Sequence, residues 1–325
     1  MNGKCLAISG GVGGAKLALG LSHELATGNL TIVANTADDF THLGLKVSPD
    51  LDTVMYTLAD INNKELGWGQ QGESWNFLDA LKMLGGDTWF RIGDRDLGTH
   101  IIRTQMMADG HTLSEVTTHL CRQLGIDHSL VPMTDEIVST VVNTKSGERL
   151  AFQHYFVRDK CAPEVVGFEF DGMNDAKPAP GLMAALKDPD LNCIIVCPSN
   201  PFVSVDPVLK IPGVMSAIES SQAPMIAVSP IVGGRAIKGP AAKMMGELGM
   251  PQSALTVAKH YQKHYPGMNG FVLDETDEEL RQEVEALGFV TIVTNTVMVT
   301  LQDRIDLART ILDFSFDFDK RLSPR

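Results

Sequence analysis

A cluster of glycines near the N terminus has the spacing of an anion-binding turn. Gly10, Gly11, Gly13 and Gly14 stand between a short apolar run typical of a buried strand and a stretch with helical periodicity. Where a glycine turn enters a helix, no Cβ blocks a phosphate from the backbone N–H groups and the positive helix end. We therefore predict that Gly11, Gly13 and Gly14 contact an anionic ligand. The alternative is a turn that only packs the helix against the strand.

The turn fits neither of the two common phosphate-binding motifs. The P-loop requires Gly-Lys-Ser/Thr, whereas Gly14 is followed by Ala15, Lys16 and Leu17. The dinucleotide fingerprint G-x-G-x-x-G would need a glycine at the position of Lys16. A nicotinamide-dependent dehydrogenase is therefore disfavoured.

Acidic residues follow the next predicted strand. Asp38 and Asp39 come after the strand Leu30–Ala34, and Asp50 and Asp52 come after a further loop. Mg²⁺ prefers oxygen ligands and is often bound by one or two carboxylates together with substrate phosphates. These acids beside a phosphate-binding turn therefore indicate a site for a hard cation. For Asp50 and Asp52, capping of the helix that begins in the same stretch is the alternative.

A third candidate region is rich in tryptophan, arginine and aspartate. Arg91 and Arg95 offer planar guanidinium groups for phosphate, and Asp94 lies between them on a predicted turn. Asp96 is predicted to cap a helix over residues 97–104. We expect Arg91, Asp94 and Arg95 to contact substrate, although a surface cluster of ion pairs is the alternative.

Two later loops complete the candidate site. Ser199 and Asn200 follow a strand-like apolar run, at the sheet edge where open α/β folds bind ligands, and could hydrogen-bond a nucleotide. Gly233, Gly234 and Lys238 lie in a loop after the next strand and form a second candidate anion site. A structural turn with solvated cations is the alternative there.

The order of elements predicts an α/β fold. A doubly wound, mostly parallel Rossmann-like sheet is expected from residues 1–136 and 186–325 as one nucleotide-binding core. Alternating β-branched residues predict a hairpin with strands 138–143 and 150–157, which breaks the alternation of strand and helix. We therefore expect residues 137–185 to form a smaller inserted α/β subdomain that covers the cleft.

Charge and composition narrow the possible partners. The chain has 325 residues with 27 basic and 40 acidic side chains, a formal net charge of −13. This balance argues against nonspecific binding to nucleic acid or to an anionic membrane. The five scattered cysteines predict reduced thiols, and a signal peptide or an apolar run of membrane-spanning length is not evident, so a cytoplasmic location is expected.

The same motifs resemble those of the 2-phospho-L-lactate transferase family over nearly the whole chain. The resemblance is carried by Ser9–Lys16, Asn35–Asp39, Gly93–Asp96, Phe152–Gln153 with Tyr155–Val157, Pro198–Pro201, and Ser229–Gly234 with Lys238–Pro240. It implies a Mg²⁺-dependent transferase of coenzyme F-420 biosynthesis, acting as a homodimer. The implied reaction moves a phosphoacyl-bearing phosphate from a guanosine diphosphate-linked donor to the hydroxyl of the deazaflavin Fo and releases GMP.

The resemblance also implies roles for individual residues. Asp50 is similar to the family's deazaflavin-contacting acid, and either Arg91 or Arg95 is similar to its basic partner. We expect Asp39 and Asp50 to hold Mg²⁺ or the attacking hydroxyl as the catalytic acids. The glycine turn and the loop from Gly233 to Lys238 would bind phosphates, and Ser199 with Asn200 would help to hold the guanosine.

Two matters stay open from the sequence. The donor could carry phospholactate, phosphoenolpyruvate or phosphoglycerate, which differ by only a few atoms. A non-enzymatic, nucleotide-sugar-binding regulator of the same superfamily is the alternative function, because its glycine-rich opening is similar. The aromatic-rich segment from Trp68 to Arg95 favours the transferase.

Overall fold

A computed structural model describes residues 3–237 and 239–318; Lys238, predicted to bind an anion, lies outside the described residues. The strands are β1 Lys4–Ser9, β2 Leu30–Ala34, β3 Phe40–His42, β4 Leu45–Val47, β5 Ser129–Pro132, β6 Ser139–Thr144, β7 Arg149–Ala151, β8 Val165–Asp171, β9 Leu191–Val196, β10 Met225–Val228, β11 Ile231–Val232, β12 Arg235–Ala236, β13 Gly270–Asp274 and β14 Val290–Thr294. The α-helices are α1 Gly11–Glu24, α2 Pro49–Leu58, α3 Asn76–Met83, α4 Asp94–Ala108, α5 Leu113–Gln123, α6 Pro180–Leu186, α7 Asp206–Lys210, α8 Val214–Ser221, α9 Ala241–Glu247, α10 Ala254–His264, α11 Arg281–Glu285 and α12 Leu301–Phe316.

The central sheet has seven strands in the order β14-β13-β10-β9-β1-β2-β5. All six strand pairs are parallel, and Ala7 at the centre of β1 lies opposite both Ile32 of β2 and Ile195 of β9. From β1 the chain builds outward to β5 on one side, and from β9 it builds outward to β14 on the other. The predicted doubly wound α/β fold is confirmed, and its topological switch point lies between β1 and β9.

Both faces of this sheet are buried, which explains why its strands are continuous apolar runs rather than alternating ones. Leu6 and Ile8 belong to one core cluster, together with residues of α6, α8 and α10. Cys5 and Ala7, which point to the opposite face, belong to a second cluster with residues of α1, α2, α5 and α12. The sheet therefore separates two helical layers and holds the ends of its strands in fixed positions.

Part of the segment 137–185 forms a separate three-stranded antiparallel sheet in the order β7-β6-β8. The predicted hairpin is present, but β7 ends at Ala151, so the strand predicted to continue to residue 157 is wrong beyond that point. The chain instead forms a π-helical turn over His154–Arg158, and Tyr155 packs into the first core cluster. The division into domains stays a prediction.

Two helices begin earlier than the sequence suggests. Helix α2 begins at Pro49, so Asp50 and Asp52 lie within its first turn and do not precede it as caps. Helix α4 begins at Asp94 after Gly93, so the prediction that Asp96 caps it is wrong. In the described residues, no single helix has the length and apolarity to span a bilayer; one helix pair, Pro201–Lys210 with Val214–Ser221, meets that test only jointly and is bent by 79°.

Candidate active site

The carboxyl ends of β1 and β9 are joined by a pair of hydrogen bonds at the switch point. The backbone N–H of Gly10 donates to Ser199 Oγ at 3.1 Å, and the Ser199 hydroxyl is 2.9 Å from the Gly10 carbonyl oxygen, to which it donates. Ser199 is buried. Its side chain thus holds the glycine turn against the loop after β9, which brings two of the predicted ligand-binding segments together.

Asp50 lies at the N terminus of α1. Its Oδ1 accepts a hydrogen bond from the Gly11 N–H at 2.8 Å, and its Oδ2 accepts one from Asn35 Nδ2 at 3.1 Å. Burial raises the pKa of Asp50 to about 6, and the two hydrogen bonds oppose that shift. Asn35, which follows β2, received no separate role from the sequence, and its amide orients this carboxylate.

The next two glycines allow α1 to approach the strand ends closely. A Cβ at Gly13 would lie well inside 3.0 Å of the Pro198 carbonyl oxygen, and a Cβ at Gly14 would lie 2.5 Å from Ser9 Oγ and 2.8 Å from Ser199 Oγ. These contacts support the packing alternative for Gly13 and Gly14. A contact between their backbone amides and a phosphate stays a prediction.

Asp38 and Asp39 carry buried oxygens that lack hydrogen bonds. The Ser48 hydroxyl donates to Asp39 Oδ2 at 2.6 Å, but Oδ1 of Asp38 and Oδ1 of Asp39 accept none from the described part of the chain. Burial raises the pKa of both carboxyls well above the ordinary value, and the Asp50 charge raises that of Asp38 further. The site therefore concentrates acidic oxygens that a divalent cation would satisfy.

A buried polar network that the sequence did not reveal lies behind these acids. Arg103 forms a two-pronged ion pair with Asp52, and the Tyr56 hydroxyl donates to Asp96 Oδ1 at 2.6 Å. Ligand atoms of Asp52, Asp96 and His100 all lie within 4.8 Å of one another, a spacing that could hold a metal ion. Because the guanidinium already neutralises Asp52 and the phenol already binds Asp96, we interpret the network as structural.

Aromatic side chains connect the acids to the segment that carries Arg91. Phe40, which directly follows Asp39, packs edge-on against Phe90 with ring centroids 4.8 Å apart. The exposed guanidinium of Arg91 lies 4.2 Å from the centroid of the Trp75 ring and 5.8 Å from that of Trp68. The predicted basic residue is therefore held by cation–π contacts at the border of the acidic cluster.

Helices α3 and α4 cap each other through two acids. Asp94 accepts hydrogen bonds from the Ser74 hydroxyl, from the Asn76 N–H and side-chain amide, and from the Phe77 N–H, and these bonds lower its pKa to about 2. In return, Glu73 accepts from the backbone N–H groups of Arg95 and Asp96 at 2.8 and 2.9 Å. Glu73, not Asp96, thus caps α4. The substrate contacts of Asp94 and Arg95 stay predictions.

The remaining predicted residues have local structural partners. Asn200 Oδ1 accepts from the Phe202 N–H at 3.0 Å, and Asn200 Nδ2 lies 3.3 Å from Met244 Sδ. Gly233 and Gly234 join β11 to β12 with φ angles of 54° and 74°, as a type I′ turn requires. Ligand contacts of Asn200, Gly233 and Gly234 stay predictions.

Comparison with known proteins agrees with the motifs. The model of the 2-phospho-L-lactate transferase CofD family matches residues 5–304. The chain belongs to the CofD family. Its relatives include the phosphoenolpyruvate transferase of Streptomyces griseus, 37% identical over 316 residues that cover 96% of this chain and 98% of the relative. The 2-phospho-L-lactate transferase of Methanosarcina acetivorans is 34% identical over 305 residues, which cover 94% and 97%.

A solved structure supports the architecture of this CofD family member. A UPF0052 family protein from Bacillus halodurans superposes with a TM-score of 0.66 at 16% sequence identity, covering 96% of this chain and 99% of that one. At this identity the likeness concerns the fold alone. The resemblance to the transferase family is confirmed, and the names of the relatives include two different transferred acids.

Proposed function

We propose that this CofD family member transfers a phosphoacyl-bearing phosphate to the hydroxyl of the deazaflavin Fo in coenzyme F-420 biosynthesis. The donor would be a guanosine diphosphate-linked phospho-acid carrying 2-phospho-L-lactate, phosphoenolpyruvate or 3-phosphoglycerate, and GMP would leave. The supporting observation is that Asp50 binds the N terminus of α1 and lies near enough to Asp38 and Asp39 for its charge to raise the pKa of both, in a chain whose family match spans residues 5–304. That match to transferases also favours this function over the nucleotide-sugar-binding regulator.

The acids fit the Mg²⁺ that the family resemblance implies. Asp39 and Asp50 would hold the ion, and Asp38 offers a further oxygen without a hydrogen bond from the described residues. Burial raises the pKa of the Asp38 and Asp39 carboxyls, so a cation would stabilise their ionised forms, and oxygen ligands of this kind suit Mg²⁺. When bound, Mg²⁺ would neutralise charge on the donor diphosphate.

Side chains of the protein would position the Fo hydroxyl against the donor phosphate. A bond forms between the Fo hydroxyl oxygen and the phosphorus that carries the acid, while the bond from that phosphorus to the oxygen of GMP breaks. Such a transfer depends chiefly on positioning and on charge neutralisation. One of the two acids, Asp39 or Asp50, would hold the attacking hydroxyl and accept its proton where it does not bind the ion. The cations of Arg91 and Arg95 would contact Fo or phosphate.

The direct test is product analysis. Purified protein is incubated with Fo, Mg²⁺ and each of the three donors, and the product is weighed by mass spectrometry while GMP is quantified. Asp50→Asn is expected to lose most GMP release, whereas Asp313→Asn, on the exposed face of α12, is the matched control. Unchanged GMP release by Asp50→Asn would show that Asp50 does not act in the transfer reaction. Failure to bind Fo in a fluorescence titration would reject the transferase assignment.

Assembly and location are further proposals. We expect a homodimer and a cytoplasmic location, both of which rest on the family resemblance and on the sequence. Size-exclusion chromatography with light scattering tests the first. A mass of one chain, 35.2 kDa, would exclude the dimer.

A further inference from the structure

Arg103 is a fully buried cation that connects three structural elements near the acids, α4, α2 and β4. Its side chain is 2% exposed. From α4, the guanidinium forms the ion pair with Asp52 in the first turn of α2 and contacts the Lys46 carbonyl oxygen of β4 at 3.4 Å. The next residue of α4, Thr104, accepts a hydrogen bond from the Lys46 N–H at 2.7 Å. Both polar backbone groups of Lys46 are therefore held by α4.

The anchored segment carries the proposed metal-binding acids. The β3–β4 hairpin begins directly after Asp39 and leads through Ser48 to Asp50. Ser48 is itself a link, because its hydroxyl donates to Asp39 while its carbonyl oxygen accepts from the Asp52 N–H at 2.9 Å. A shift of Asp52 or Lys46 would therefore move both Asp39 and Asp50.

We propose that Arg103 is a positioning residue that fixes Asp39 and Asp50 for metal and substrate through Asp52 and the β3–β4 hairpin. This inference rests on the proposed function, since it assigns Asp39 and Asp50 to Mg²⁺. Groups behind metal ligands typically change metal affinity or activity by about 10- to 100-fold when they are removed. Arg103 makes no described hydrogen bond to Asp39 or Asp50, so its positioning effect would be transmitted by the hairpin and by α2. Its charge acts on Asp39 directly and partly offsets the rise that burial causes in the pKa of that carboxyl.

Loss of the Arg103 charge and loss of its positioning effect would change the metal affinity in opposite directions, which makes the proposal testable. Removing a buried cation leaves the neighbouring acids more negative, and this would tighten the binding of a divalent cation. Loss of positioning would instead weaken it. Thr104→Val separates the two effects further, because it removes the anchor of the Lys46 N–H without changing any charge.

The experiment measures Mn²⁺ affinity by electron paramagnetic resonance at a temperature where each variant is folded. The variants are Arg103→Met, Arg103→Lys and Thr104→Val. Lysine keeps the charge but cannot form the two-pronged pair. The control is Arg309→Met, whose guanidinium makes a similar two-pronged pair with Glu24 on the exposed surface, about 20 Å along α1 from Gly11.

We expect Arg103→Met to bind Mn²⁺ about 10- to 100-fold more weakly, with smaller losses for Arg103→Lys and Thr104→Val and none for Arg309→Met. In the transfer assay, the fold decrease in kcat should exceed the fold change in the KM of the donor. Unchanged or tighter Mn²⁺ binding by the Arg103 variants would overturn the inference, and Arg103→Lys decides the matter if Arg103→Met does not fold. Wild-type protein that binds Mn²⁺ without releasing GMP would reject the proposed function, while the affinity comparison would still test Arg103.

Discussion

Gly13→Ala would add a methyl group where α1 meets the loop after β9. Its Cβ would lie well inside 3.0 Å of the Pro198 carbonyl oxygen, whereas ordinary contact begins at 3.4 Å. Because the obstacle is backbone, it cannot rotate away as a flexible side chain would. Either α1 or the loop must therefore move by about 1 Å to restore ordinary contact.

The size of the effect follows from two opposing contributions. Overpacking of this kind costs about 1–3 kcal/mol, and replacing glycine by alanine inside a helix contributes about 1 kcal/mol in the other direction. We expect the free energy of unfolding to fall by up to about 2 kcal/mol. Since Pro198 leads directly to Ser199, a displacement of about 1 Å should also lower kcat, by up to about 100-fold.

Urea denaturation and GMP release measure the two effects. Gly98→Ala is the matched control, because Gly98 lies within α4 and a Cβ there meets no atom within 4 Å. This control should gain about 1 kcal/mol and keep its activity. If Gly13→Ala matched the wild-type protein in both stability and activity, close packing would not be what requires glycine at this position.

Further predictions concern the acids and Arg91. Because burial raises the pKa of Asp50 from 3.8 to about 6, the folded state loses stability as the pH rises between those values. Asp50→Asn does not titrate, so its stability relative to wild type should improve by about 2.4 kcal/mol from pH 4 to pH 7 in urea denaturation; a constant difference would contradict this. Mg²⁺ at 100 times its dissociation constant should stabilise the protein by about 2.7 kcal/mol in thermal unfolding, and Asp39→Asn should abolish the gain. Arg91→Ala should raise KM for Fo and change tryptophan fluorescence, since Trp75 loses its cation; Arg95→Ala should leave that fluorescence unchanged.

The sheet could be predicted because its strands carry their own signal. Three strands begin and end where their apolar runs indicate: Leu30–Ala34, Gly270–Asp274 and Val290–Thr294. Strands buried on both faces need no information beyond local apolarity and the breakers that flank them. The hairpin was predicted less well, because the aromatic residues after Ala151 favour a strand locally, whereas burial of Tyr155 in the core favours a helical turn.

The candidate site could be predicted only in its strand-end residues. Gly11 and Asp50 are brought together as the topology implies. The partners of Glu73 and Arg103 could not be found from the sequence. Glu73 accepts from the first turn of α4 and Arg103 pairs with Asp52, and both pairings join residues distant in sequence, so they depend on how α3, α4 and α2 pack. A buried arginine in a helix has the same local signal as an exposed one.

Because α3 and α4 cap each other, the opening of one helix is coupled to the opening of the other. Helix α3 buries none of its residues, so little apolar packing stabilises it independently. Its first turn is completed by Asp94, and the first turn of α4 is completed by Glu73, so neither end can fray without releasing the other. Residues 73–96 should therefore open as one unit, with the amides of Phe77 and Asp96 exchanging their hydrogens at a common rate. Arg91 lies within residues 73–96. The fraction of molecules in which Arg91 is held in place to bind a ligand therefore depends on this all-or-none local folding equilibrium.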